Sequence, residues 1–226
     1  GECLVRILSF QDVLNLHDLL KNMPITKIKV ETRLNLEQFG TFLDILNSEN
    51  VISKLKLENI ICSDEHVKLL SNFISKSKNL TRLNIRGNMW RNIKYLTDAL
   101  CFSKITILNA SDNVFSCLSI KYLADILKIN TTLTNLILWN NWFGTRGLEY
   151  ITESLKENST LTSINLGNIK CGLQGIKLIL ESLCVNNTLE YVYFYNGLIQ
   201  RPILDPTILK KLKKNSILKI FANENM

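Results

Sequence analysis

Residue types able to perform nucleophilic, acid–base or metal chemistry are sparse in this chain, and their spacing is unpromising. The two histidines, His17 and His66, sit in or at the start of segments with helical periodicity. Neither has a Cys, Ser or carboxylate at a spacing that recurs in nucleophile or metal motifs, so both are expected at the surface or at a helix edge. The six cysteines, Cys3, Cys62, Cys101, Cys117, Cys171 and Cys184, are scattered without a CxxC pair or a Cys/His cluster, which argues against zinc and dithiol chemistry. A thiol packs as a small hydrophobe, so these are expected as buried, reduced core residues of a cytoplasmic protein. No GxxxxGK[ST] or GxGxxG loop is present to cradle nucleotide phosphates. Gly144 and Gly147 have the spacing of a backbone-clamping loop, but Gly172 and Gly175 repeat that pair 28 residues later. A phosphate clamp has no reason to recur at that period, whereas a turn leading into a helix does. No enzymatic activity, metal or cofactor is expected.

The period of the glycine pairs runs through the whole chain. The segments Ile52–Leu57, Leu80–Ile85, Ile105–Ala110, Leu133–Leu138, Leu161–Leu166 and Leu189–Phe194 all read apolar-x-x-apolar-x-apolar. Ile25–Val30 joins them at the front and Ile217–Ala222 at the back. The first apolar positions are 25, 52, 80, 105, 133, 161, 189 and 217, so successive spacings are 27, 28, 25, 28, 28, 28 and 28. A fixed period of this length marks a solenoid. The alternating residues predict a strand. After each strand the apolar spacing changes to that of a helix with one buried face, as in Val67, Leu70, Phe73 and Ile74, or Ile120, Leu123, Ile126 and Leu127. An Asn follows the strand seven or eight residues after the first apolar position, at Asn59, Asn88, Asn113, Asn141, Asn168 and Asn196. Its side chain is expected to bond the backbone of the next coil.

This pattern resembles the ribonuclease-inhibitor-like class of leucine-rich repeats, the class of ribonuclease inhibitors, the sensor ends of NOD-like receptors and the GTPase activator of Ran. The resemblance covers residues 25 to 222. It implies an α/β solenoid, a horseshoe with a concave parallel sheet and convex helices, and macromolecular recognition rather than catalysis. The expected division is an N-terminal capping strand and helix at 1–24, followed by a leucine-rich-repeat domain at 25–226 of about eight units, the last partial. Two units depart from the pattern. The one starting at Leu80 is 25 residues long, so its helix or loop around Met89 to Phe102 is expected to be short and the curvature to change. The one starting at Leu189 carries Pro202 and Pro206 where a helix should begin, predicting a loop and a late helix near Ile208 to Leu212. The chain stops just after its last strand, which leads us to expect a continuing polypeptide or a covering partner there.

In such a strand the residues two, four and six after the first apolar position face the concave side. Lys27, Lys29, Lys54, Lys56, Arg82 and Arg86 make the first three strands basic, with Glu31 and Glu58 along one rim. The middle strands are small and polar apart from Ile107 and Ile137. Trp139, Tyr191, Tyr193, Tyr195 and Phe221 make the C-terminal end aromatic, and Trp90, Trp142 and Phe143 sit in the turns beyond the strands. Tyr and Trp dominate protein interfaces because they offer large contact area with few rotors to freeze.

The net charge of +7 permits an acidic protein, nucleic acid or an anionic surface as partner. A protein partner ranks first. Nucleic acid ranks second, because the basic strip is short, is broken by Glu31 and Glu58, and lies strands away from the aromatic residues. A GTPase-activating role, implied only by the resemblance, would fall to Arg86 and Arg91 beside Asn88, where no matching motif appears. No run of about 18 apolar residues would span a membrane and no signal peptide opens the chain, so a cytoplasmic location is expected. The sequons at Asn79, Asn130 and Asn158 are read as products of the repeat.

Overall fold

The computed structural model describes residues 3–60 and 63–194, and the backbone of 219–221. Strand and helix alternate along the chain. The strands β1 (Cys3–Ile7), β2 (Ile25–Val30), β3 (Lys54–Leu57), β4 (Arg82–Asn84), β5 (Ile107–Asn109), β6 (Asn135–Ile137), β7 (Ser163–Asn165), β8 (Tyr191–Tyr193) and β9 (Lys219–Phe221) form one sheet in sequence order. Every neighbouring pair is parallel. The seven described helices are α1 (Phe10–Asn22), α2 (Leu36–Glu49), α3 (Asp64–Lys76), α4 (Lys94–Leu100), α5 (Cys117–Leu127), α6 (Gly144–Glu157) and α7 (Gly172–Leu183). Each returns the chain to the next parallel strand, as a parallel connection requires.

Register follows the sequence period. Ile28, Leu55, Leu83, Leu108, Leu136, Ile164 and Val192 stand side by side across β2 to β8, and all are buried. They meet the inner helix faces, where Val67, Leu70, Phe73 and Ile74 of α3 and Leu148, Ile151 and Leu155 of α6 are also buried. Helix starts are fixed by side chains. Ser9 and Asn35 form capping boxes with Asp12 and Gln38, and Ser63 and Ser116 accept from His66 N–H and Ser119 N–H. α4 is the short helix expected of the 25-residue unit. It starts at Lys94, fourteen residues after Leu80, whereas α5 starts at Cys117, twelve after Ile105. The late helix expected near Ile208 lies outside the described residues.

Polar side chains tie adjacent coils together. Asn113 donates to Ile85 O and Ala110 O, both at 3.1 Å, and accepts from Trp90 N–H at 3.1 Å. Asn88 and Asn141 repeat the arrangement, donating to Leu57 O at 2.7 Å and to Ala110 O at 2.9 Å. The bonds between coils run to the preceding coil, not to the next one as the sequence suggested. Asn59 and Asn168 do something different again. They stand one residue earlier, where the five units starting at Ile52, Leu80, Ile105, Leu133 and Leu161 are left-handed: Asn59, Gly87, Asp112, Asn140 and Asn168 have φ of 58, 74, 52, 56 and 54°. Asn tolerates that region at little cost, and Ile60 and Ile169 fill the ladder position at its two ends. A second ladder on the opposite edge uses Asn130, Asn158 and Asn186, whose buried amides donate to Leu100 O, Leu127 O and Leu155 O. A third has Thr81, Thr106, Thr134 and Thr162 each donating to the carbonyl of its counterpart one coil earlier.

Two expectations need correction. His66 lies in the first turn of α3, the helix edge, but is buried, 8% exposed, and not at the surface. Its Nδ1 lies 2.8 Å from Ser63 Oγ and its Nε2 3.2 Å from Leu34 O. A carbonyl only accepts, so Nε2 is the donor to Leu34 O. Of the described cysteines only Cys171 is buried; Cys3, Cys101, Cys117 and Cys184 are half-buried, and all five are free thiols. Burial holds the Cys171 thiol above its usual range, while Cys62 lies outside the described residues.

Candidate functional site

The concave surface is laid out by strand register. Lys27, Lys54 and Arg82 are cross-strand neighbours, as are Lys29, Lys56 and Asn84. Parallel strands sit about 4.8 Å apart, so like charges in a column would repel. Carboxylates along the rim offset that repulsion. Lys29 is ion-paired with Glu31, Lys56 with Glu58 at 2.9 Å, and Arg86 with Asp112. Glu58 also accepts from Asn84 Nδ2 at 2.8 Å. Glu31 is held below the ordinary carboxylate range, chiefly by the hydrogen bond from Lys29 and then by the positive charges of Lys29, Arg6 and Lys56. Lys29, Lys56 and Arg86 therefore already have acidic partners in the same molecule.

The middle strands satisfy themselves. Asn84, Asn109 and Asn165 each accept from the backbone N–H two residues later, at Arg86, Ser111 and Gly167. Ser111, expected on the surface, is buried under its 2.6 Å bond to Asn109. Ile107 and Ile137 are half-buried.

At the C-terminal end the register places Tyr191 beside Ser163 and Tyr193 beside Asn165, and both tyrosines are half-buried. Trp139 is 37% exposed and leans over Gly167, where an added Cβ would come within 2.5 Å of the indole Cδ1. The missing side chain at Gly167 thus makes the berth for Trp139. Phe221 stands next to Tyr193 in β9. Tyr195 lies outside the described residues, as does the side chain of Phe221. The strands bring the cations together at one end and Trp139, Tyr191 and Tyr193 at the other.

The turn aromatics divide. Phe143 is buried, and so is Trp90, whose indole N–H is the one buried side-chain polar atom without a partner among the described residues. Trp142 is 59% exposed; its Nε1 donates to Asn140 Oδ1 at 3.1 Å and Lys170 Nζ sits 3.6 Å from its ring centre. Met89, not among the residues expected at the surface, is 75% exposed in the equivalent turn. The signal was present: Met89, Val114, Trp142 and Lys170 each come nine residues after the first apolar position of their unit.

Among the described residues no group of three His, Cys, Asp or Glu side chains stands close enough to hold a metal ion, and no helix is long and apolar enough to cross a membrane. No family model matches the chain, and no curated protein matches it. Solved structures do. The actin-binding site 2 of leiomodin-1 superposes with a TM-score of 0.55 at 23% identity, over 68% of this chain and 88% of that one. The leucine-rich repeat-containing protein LegL7 from Legionella pneumophila gives 0.55 at 18% identity, over 93% of this chain and 71% of that one. Identities this low speak to the fold alone. Repeat length, residue pattern, sheet topology and these neighbours agree on the fold: the chain is an α/β leucine-rich-repeat solenoid with a parallel sheet.

Proposed function

We propose that the chain is a recognition module that binds a protein partner through its concave face, with Trp139, Tyr191, Tyr193, Tyr195 and Phe221 as the contact core and Lys27, Lys29, Lys54, Lys56, Arg82 and Arg86 as a flanking charged region. The observation that carries this reading is a set of partly exposed aromatic side chains on a sheet held rigid by coil-to-coil hydrogen bonds. Rigid aromatic groups lose little entropy on binding and contribute most of an interface's energy. A domain of this fold is an actin-binding site in leiomodin-1, so the architecture is compatible with holding a protein. A cytoplasmic location fits the sequon asparagines Asn130 and Asn158, whose amide nitrogens are buried and committed to backbone carbonyls.

Nucleic-acid binding through the basic strands is the second reading. It is favoured by the column Lys27, Lys54 and Arg82 and opposed by the acidic partners of Lys29, Lys56 and Arg86. A GTPase-activating role has no support beyond the shared fold, and Arg86 is engaged by Asp112. The deciding experiment is capture of partners from nuclease-treated lysate with wild-type and Tyr193→Ala protein, identified by mass spectrometry. A protein held by the wild type and weakened by about 1–3 kcal/mol in Tyr193→Ala supports the reading. Equal affinity for both refutes it.

A further inference from the structure

Beyond the concave face, the turns between strand and helix carry a second surface. Met89, Val114 and Trp142 stand in consecutive coils at the same repeat position and are 75%, 38% and 59% exposed. Lys170 continues the row and lays its ammonium over Trp142. A row of exposed apolar side chains at one repeat position is not needed by the fold, since the core position beside it is filled by Trp90, Phe115, Phe143 and Cys171, all buried. Met89 holds φ at 56°, a left-handed conformation that is unusual for a residue without a short polar side chain.

At its β4 end this ridge opens into a cleft of about 550 Å³ lined by Met89, Trp90, Arg91, Asn92, Arg33 and Asp64. The cleft has a cause in the sequence. The helix of the unit starting at Leu80 begins two residues later than α3 and α5 do in theirs, so Asn92 stands in the wall where those units already have helical backbone. Two arginines and one carboxylate, Arg33, Arg91 and Asp64, are among its lining residues, and among the described residues neither Arg33 nor Arg91 forms an ion pair. Trp90 is part of the same wall, with its indole N–H buried and without a partner behind it.

We propose that this edge, from the cleft across the turns after β4, β5 and β6, docks an extended segment of a partner protein with apolar side chains on the Met89–Val114–Trp142 ridge and a carboxylate between Arg33 and Arg91. The charge balance selects an acidic occupant. An arginine fork pairs a carboxylate bidentately, and Lys170 adds positive charge at the far end. The dimensions suit a peptide: the four coils from Met89 to Lys170 at about 4.8 Å spacing span roughly 15 Å, the length of four to five extended residues at about 3.3 Å each, and the cleft adds room for the acidic residue at one end. The proposal holds or fails independently of the concave-face reading.

The test is a selection of random peptides displayed on phage against the immobilised chain, followed by fluorescence anisotropy with the best synthetic peptide. Enriched sequences should place Asp or Glu within a few residues of Leu, Met, Phe or Trp. Binding should weaken about tenfold or more in Met89→Asp and in the Arg33→Glu, Arg91→Glu double variant, and remain unchanged in Tyr193→Ala. All three sites are partly exposed or exposed, and unchanged circular dichroism and melting verify folding. No enrichment, or enrichment of peptides without an acidic residue, overturns the proposal. So does binding lost only in Tyr193→Ala, which would place the peptide on the concave face. Tight binding of a labelled single-stranded oligonucleotide that depends on Arg33 and Arg91 would assign the edge to nucleic acid instead.

Discussion

Removing the amide of Asn113 tests whether the asparagine ladder holds the coils in register. The side chain is 3% exposed and donates to Ile85 O, Ala110 O and Ser111 O, all at 3.1 Å, while accepting from Trp90 N–H. The carbonyls are partly insured, because Ile85 O also accepts from Asn88 and Ala110 O from Asn141. The Trp90 N–H is not, and a buried donor left unpaired costs about 1–3 kcal/mol. Adding a small cavity and the lost donor bonds, Asn113→Ala should cost about 2–4 kcal/mol. Asn113→Asp keeps the volume but turns an acceptor toward three carbonyls, so it should cost more than Ala at neutral pH despite filling the site. Urea unfolding followed by circular dichroism gives both values, and the midpoint should fall with the slope unchanged. Amide exchange should accelerate first at Trp90 and its neighbours in the units starting at Leu80 and Ile105. A loss below about 0.5 kcal/mol in Asn113→Ala, or Asp tolerated better than Ala, would refute the argument that polar satisfaction rather than volume sets the cost.

Further outcomes follow from the same geometry. Leu136 is fully buried, so Leu136→Ala should cost about 2–5 kcal/mol, and hydrogen exchange should rise in flanking repeats as well as its own. Gly167→Ala must displace Trp139, whose Cδ1 would lie 2.5 Å from the new Cβ; melting should change little, while affinity for a concave-face partner falls. Asp12 and Glu31 are held below their ordinary range, Asp12 mainly by the Leu8 and Ser9 backbone N–H groups and Glu31 mainly by Lys29. Their contribution is present above the ordinary carboxylate range and is lost as pH falls through the depressed values. The melting temperature should therefore drop on acidification, and by less in Asp12→Asn. Anisotropy with a single-stranded oligonucleotide at physiological salt should show weak binding; sub-micromolar, salt-sensitive binding abolished by Lys54→Glu would promote the nucleic-acid reading.

The fold was legible because a repeat averages out local noise: eight copies of one apolar pattern fix register as firmly as a long helix fixes its face. Position-specific chemistry was less legible, since two residues one apart have different jobs. Asn at the left-handed position of Asn59 and Asn168 and Asn at the ladder position of Asn88, Asn113 and Asn141 look alike in the sequence. Only the unit with Gly87 before Asn88 separates them, because Gly87 fills the left-handed site with φ of 74° and a Cβ there would strike Asn59 Oδ1. The burial of His66 was missed for a related reason. Helical periodicity put it near a helix start, but its burial depends on Leu34 O, 32 residues away in the preceding coil. The candidate surface shows the same division. Column membership of the basic and aromatic residues could be counted from the period. What decides their chemistry is cross-strand: Glu58 reached by Asn84 from the next strand, and Asp112 reached by Arg86 across 26 residues. A charge count therefore overstated the basic patch, because alternation along one strand says nothing about the carboxylate that the next coil supplies.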